Sequence, residues 1–216
     1  MKLKQQLTIA FIVSVLSLIG FSFMAFTISA NEYLKFDEDV ISLVQGWESP
    51  HLTDIMKFFT YIGSTASLII LSLVILFFLY RVLKHRLELV LFTAVMVGSP
   101  LLNLMVKLLF QRARPDLHRL IEIGGYSFPS GHAMNAFSLY GILTFLLWRH
   151  ISARWARIIL ILFSMMMILS IGISRIYLGV HYPSDIIAGY LASGCWIAIS
   201  IWFFQRYQDR RKNKDR

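Results

Sequence analysis

Residues 87–115 read LELVLFTAVMVGSPLLNLMVKLLFQRARP. Between Leu87 and Leu109 the only charges are Glu88 and Lys107, and a helix of about 20 apolar residues is long enough to cross the hydrocarbon core of a bilayer. The stretch reads as a membrane-spanning helix that runs out into a cluster of cations and a proline. Comparable apolar runs lie at about 7–30, 58–80, 132–148, 155–174 and 186–204. The chain of 216 residues is 57% hydrophobic and only 15% charged, with a mean hydropathy of +0.65, which excludes an ordinary soluble domain. The expectation is an all-α polytopic membrane protein: six transmembrane helices forming one domain over residues 1–216, without linker, low-complexity tract or repeat.

Lys2 and Lys4 before the first run resemble the start of a signal peptide. The apolar region that follows exceeds twenty residues and Ile28-Ser29-Ala30 makes a poor cleavage site, so a retained helix is expected. With the amino terminus inside, fourteen of the 21 lysines and arginines face the cytoplasm: Lys2, Lys4, Arg81, Lys84, Arg86, Arg149, Arg154, Arg157 and the six from Arg206 onward. The other seven are Lys35, Lys57, Lys107, Arg112, Arg114, Arg119 and Arg175. This bias predicts both termini in the cytoplasm and the polar clusters at the external face of the plasma membrane. The net charge of +9 calls for no nucleic acid, because a basic tail from Arg206 to Arg216 suits anionic lipid at the cytoplasmic surface. Cys195 is the only cysteine, so no internal disulfide or thiolate metal site can form. Nothing in the sequence reads out an oligomeric state.

Two external segments are long enough to carry structure. Between 31 and 57, Tyr33, Phe36, Val40, Val44 and Trp47 recur at helical intervals opposite Asp37, Glu38 and Asp39, which predicts an amphipathic helix in the outer interface. His51 and Asp54 there read as surface or helix-start residues, with no nucleophile or cation cluster beside them. The second segment, 110–131, delivers two of the polar clusters. Trp148, Trp155, Trp202 and Tyr207 flank the cytoplasmic side as interfacial anchors.

Charge kept near membrane depth costs about 2.5 kcal/mol or more per group, so retained clusters point to use. Lys107 and Arg114 are two helical turns apart, and Pro115 predicts that the helix ends near Arg114. With Arg175, they supply the cations that bind phosphate oxygens, or else three residues that snorkel to the interface. Pro129-Ser130-Gly131-His132 precedes an apolar run, so Ser130 suits an N-cap whose following amides point at an anion, with Gly131 allowing close approach. His132 is placed to move a proton, although an ordinary capped helix with an incidental histidine fits equally. His181 precedes Pro183, a natural first helical residue, and Asp185 follows four positions later, a spacing that lets the carboxylate take the imidazole N–H. That is the base-and-orienter logic of a catalytic triad; a capping aspartate beside a surface histidine is the alternative. No metal or other cofactor is expected, since no HExxH or paired-cysteine pattern occurs and three cations would repel a divalent ion.

Together the three clusters resemble the type-2 phosphatidic acid phosphatase family of membrane lipid phosphatases, and the small single domain resembles its bacterial phosphatidylglycerophosphatase B type. The signature K-x6-RP, PSGH, SR-x5-H-x3-D appears as KLLFQRARP, PSGH and SRIYLGVHYPSD, with every position filled between 107 and 185. The resemblance implies His181 as a nucleophile forming phosphohistidine, Asp185 orienting it, and His132 as general acid. It further implies Lys107, Arg114, Arg175, Ser130 and Gly131 around the phosphoryl oxygens, with Pro115, Pro129 and Ser174 in support. The implied substrate is a lipid phosphate, phosphatidylglycerophosphate first, with undecaprenyl diphosphate and phosphatidate as alternatives. Arg112 and Arg119 are candidates for selecting the head group. A phosphotransferase shares every motif, and a lipid or anion transporter would use the same cations without the triad.

Overall fold

The computed structural model describes residues 3–30, 34–83, 86–116 and 118–214, all helix and connection with no strand among them. Lys2, Tyr33, Lys84 and Arg216, used in the charge count or the helix pattern, lie outside these residues. The helices are α1 (Leu3–Ala30), α2 (Lys35–Gln45), α3 (Pro50–Ile62), α4 (Thr65–Phe78), α5 (Arg86–Phe110), α6 (Gly131–Trp148), α7 (Arg154–Tyr177) and α8 (Pro183–Lys214), with a π-helical turn at Leu79–Leu83 after α4. Four of them, α1, α5, α7 and α8, are long and apolar enough to cross a membrane, and the bent pair α3–α4 makes a fifth candidate. Large apolar side chains cover their outsides, with Phe26 74% and Leu109 77% exposed, the pattern of helices whose neighbour is lipid rather than water.

The 18-residue α6 is the inner post. It buries Ala133, Met134, Ala136, Leu139, Ile142 and Leu146 among α5, α7 and α8. Its core partners include Phe92 and Val95 of α5, Met167 and Ile171 of α7, and Ile197 of α8. Small residues bring backbones together, as they do between helices in membranes. Gly172 lies under the Tyr190 ring, whose hydroxyl would sit 2.0 Å from an added Cβ.

Three expectations change. The run at 58–80 is not one straight helix: Gly63 closes α3, Ser64 is extended and caps α4 by accepting from Ser67 N at 3.3 Å, and the two halves meet at 54°. Gly63 tolerates the bend because its bare backbone rests on Ile171, 2.5 Å from where a Cβ would stand. The 31–57 segment forms two helices, and α2 turns Ile41 and Val44 onto Ile176, Tyr177 and Ile186 instead of burying its whole apolar side in an interface. Finally, α5 stops at Phe110 rather than near Arg114, since Gln111 adopts a left-handed φ of 47°. Arg114 therefore leaves the helix axis of Lys107. His51 and Asp54 are exposed in the first turns of α3, as surface residues should be.

Candidate active site

The C-terminal ends of α5 and α7 and the N-terminal ends of α6 and α8 meet in one cluster. Pro183 opens α8, where its missing N–H costs nothing, and places Asp185 in the first turn beside His181. Gly179 makes the connection possible: its φ is +72°, and a Cβ there would stand 1.8 Å from His118 O. His181 and Asp185 are both buried, at 2% and 0% exposure.

His181 Nδ1 lies 3.3 Å from Asp185 Oδ2, which also accepts from Tyr182 N at 3.0 Å and from the Ser127 hydroxyl. On the other side of the ring, Arg114 Nη1 meets His181 Nε2 at 3.0 Å. A guanidinium can only donate, so Nε2 is the acceptor and Nδ1 carries the proton toward Asp185. Both neighbours thus select the tautomer in which Nε2 is the lone-pair nitrogen. Burial holds the His181 imidazole far below the ordinary histidine range, at about 3, so the ring is neutral at pH 7.

Arg175 is 1% exposed. Its Nη1 donates to Thr60 Oγ1 at 2.8 Å, while Nε and Nη2 are buried without a hydrogen-bond partner in the protein. Buried donors are rarely left so, because each unmet one costs about 1–3 kcal/mol and more when charged. Lys107 Nζ donates to Tyr126 O at 2.7 Å and lies within electrostatic range of Arg114 and Arg175. Arg114 is anchored through Gly125 O at 2.9 Å and Val180 O at 2.8 Å, and burial lowers its pKa from the usual arginine value. Three cations therefore converge on one place, and the deepest keeps two donors open.

Ser130 caps α6 by accepting from Ala133 N at 3.4 Å, and its own N–H donates to Asp185 O at 3.1 Å, tying the two helix starts together. Gly131 lies against Asn103, whose amide donates to Pro129 O at 3.0 Å. His132 is partly buried and within electrostatic range of Lys107, Arg114, Arg175 and His181. Ser174 donates to Ile171 O at 2.7 Å and lies 3.0 Å from Thr60 Oγ1. Pro115 and Pro129 are buried in the connecting loop.

Arg112 is placed differently from the expectation that it helps select a head group. Its Nη1 donates to Asp185 Oδ1 at 2.7 Å and to Ser184 Oγ at 2.8 Å, its Nη2 to Asp37 Oδ2 at 3.0 Å, and the guanidinium lies 4.0 Å from the Tyr182 ring centroid. Its side chain is only 8% exposed, so it clamps the orienting carboxylate. Arg119 is held by Pro115 O at 2.6 Å and Asp116 at 3.3 Å. Four contributors went unread in the sequence: Asp37, Thr60, Ser127 and Ser184. Asp37 looks like one of three acids on the polar side of α2, yet it alone is buried there, accepting from Ser184 N at 2.8 Å and Ser184 Oγ at 2.6 Å. Among the described residues no group of three or more His, Cys, Asp or Glu side chains gathers as a metal site.

Residues 88–209 match the PAP2 superfamily. The chain is 30% identical over 175 residues to the phosphatidylglycerophosphatase B of Bacillus subtilis strain 168, covering 79% of this chain and 84% of that protein. The crystal structure of a transmembrane PAP2-type phosphatidylglycerolphosphate phosphatase from Bacillus subtilis superposes with a TM-score of 0.78 at 28% identity, over 92% of this chain and 96% of the other. LpxE of Aquifex aeolicus superposes with a TM-score of 0.63 at 26% identity, over 79% and 97%. The chain belongs to the PAP2 superfamily, and it is a phosphatase of that family.

Proposed function

We propose that this chain removes a phosphate from a lipid head group through a phosphohistidine, with phosphatidylglycerophosphate as substrate and phosphatidylglycerol plus inorganic phosphate as products. The observation that carries the reading is the pairing of an oriented, neutral His181 with the buried, unpartnered Nε and Nη2 of Arg175. Donors left open in a buried site suit an anion with several oxygens, and a phosphoryl group is one. On binding, Arg114 passes from His181 Nε2 to a phosphoryl oxygen, which frees the lone pair for attack. The Nε2–P bond forms as the P–O bond to the lipid breaks, His132 gives its proton to the leaving oxygen, and Asp185 steadies the developing imidazolium through Nδ1–H. Water then attacks phosphorus with His132 as base, the N–P bond breaks, and phosphate leaves. Positioning and charge neutralisation do most of the work, and the cations fill the role a metal would take. Six spans, with α3–α4 broken and α6 as the inner one, both termini in the cytoplasm and the site external, complete the proposal.

The choice of substrate is supported by the Bacillus relative. An undecaprenyl diphosphate substrate is the second reading, because an undecaprenyl-diphosphatase of Sulfolobus acidocaldarius shares 41% identity over 73 residues, about a third of each chain. Purified protein in chelator should release phosphate from phosphatidylglycerophosphate faster than from phosphatidate or undecaprenyl diphosphate. Rapid quench with labelled substrate should trap an acid-labile phosphoryl adduct that His181→Ala lacks. Wild-type turnover by His181→Ala would refute the mechanism, and loss of activity in chelator would refute metal independence.

A further inference from the structure

α1 and α6 both pack on α8, and a cavity of about 870 Å³ between them runs from Phe137 and Tyr190 to Arg149 and Asp209, toward the end of the bundle away from the catalytic cluster. That is within the ~300–1,000 Å³ typical of ligand sites. Val13, Phe145, Leu191 and Ile197 supply apolar wall. Two polar wall groups are already engaged: Thr144 Oγ1 donates to Tyr140 O at 2.7 Å and the Tyr190 hydroxyl to Ile168 O at 2.7 Å. The interior therefore favours a hydrocarbon chain. No residue of the catalytic cluster lines it, and the helices pack closely between the two, since a Cβ on Gly189 would meet Ser130 O at 3.1 Å and Ala133 at 3.2 Å.

Charge lines the cavity at one end only. Arg149 follows the C-terminus of α6, roughly 25 Å along that helix from His132, and Asp209 of α8 is the single carboxylate in the lining. The Arg149 side chain is 38% exposed and held by Glu88 at a loose 3.9 Å. Arg149 is the one cation in the lining itself, and Arg206, Arg210 and Arg211, outside the lining, make the same end of α8 basic and exposed. An apolar interior with Arg149 at its mouth and a basic helix end nearby suits an anionic amphiphile.

We infer that this cleft binds an anionic phosphodiester lipid, with one acyl chain between α1 and α6 and the phosphate on Arg149. The site is separate from the catalytic cluster and does not depend on the hydrolytic reading. Native mass spectrometry of the full chain, released from detergent with added dioleoyl phosphatidylglycerol or dioleoyl phosphatidylcholine, tests it. The wild type should retain one phosphatidylglycerol, about tenfold more tightly than phosphatidylcholine, a gap of ~1.4 kcal/mol. Arg149→Gln should erase that preference, and Val13→Trp, which fills the cleft from α1, should remove the retained lipid of either kind. Equal retention of both lipids by the wild type, a preference that survives Arg149→Gln, or unchanged retention by Val13→Trp would each overturn the assignment. Thermal unfolding checks that the variants fold, and Ile201→Trp fills the same cleft from α8 should Val13→Trp fail to.

Discussion

Replacing Arg112 by methionine separates two roles for this residue, head-group selection and support of the Asp185 carboxylate. The structure gives Arg112 three charge-assisted or polar bonds, to Asp185 Oδ1 at 2.7 Å, Ser184 Oγ at 2.8 Å and Asp37 Oδ2 at 3.0 Å. Methionine keeps the length and apolar stem but leaves Asp37 and Asp185, 1% and 0% exposed, without that counter-charge. Removing one partner of a buried ion pair costs about 3–5 kcal/mol, a large part of a typical stability of ~5–15 kcal/mol. Adding Asp37→Asn should restore some of the loss, because one stranded charge goes with it. Asp185 would lose the contact that pins Oδ1 and hold the His181 ring less firmly; outright loss of such an orienter lowers kcat by up to ~10⁴-fold, which bounds the effect. Since Arg112 reaches the His181 ring only through Asp185, at Nδ1, kcat should fall by ~10²-fold with KM nearly unchanged. Steady-state phosphate release and thermal unfolding in detergent measure both effects. A raised KM at wild-type kcat would refute the clamp and restore head-group selection, and a variant equal to wild type in kcat and melting temperature would refute both.

Thr60→Val keeps shape but removes the acceptor of Arg175 Nη1 at 2.8 Å; a hydrogen bond to a charged group is worth about 1.5–3 kcal/mol, so kcat/KM should drop ~10- to 100-fold and the melting temperature should fall with it, as a third donor of Arg175 is left unmet. Gly179→Ala forces a Cβ into His118 O at a φ of +72° and should destabilise the protein by more than ~1 kcal/mol, read as a lowered melting temperature. His181, held at about 3 by burial against ~6.5 in the unfolded chain, should show a neutral Nδ1–H imidazole in ¹⁵N NMR from pH 8 down to 5. Because the folded value is the lower one, stability conferred by the neutral ring is complete above about 6.5 and is lost as pH falls toward 3; a resonance titrating near 6.5 would contradict the burial.

What could be read from sequence depended on how local the information was. The membrane class and the helices at 87–109, 155–174 and 186–204 rest on long apolar runs, and a length-and-hydropathy rule needs no tertiary contact. The His181–Asp185 contact was legible because four residues across a helix start is a local distance. The break at Gly63-Ser64 was not, since both sides are apolar and the bend is set by Ile171 of α7 lying under a glycine. Arg112 was misplaced for a similar reason: its partners are Asp37, 75 residues earlier, and Asp185, 73 later. Nothing in the run Asp37-Glu38-Asp39 marks which acid turns inward.

The sequence by itself determined a membrane helical chain and the three motifs of its family, because hydropathy and short spacings are properties of the covalent chain. Only the tertiary structure decided which charges face each other. It brought Asp37 and Thr60 to the site from helices packed against α7 and α8, put Arg112 behind the aspartate instead of in front of a substrate, and left two donors of Arg175 open. Those outcomes depend on which side chains exclude water together, and only the folded arrangement of distant segments settles that.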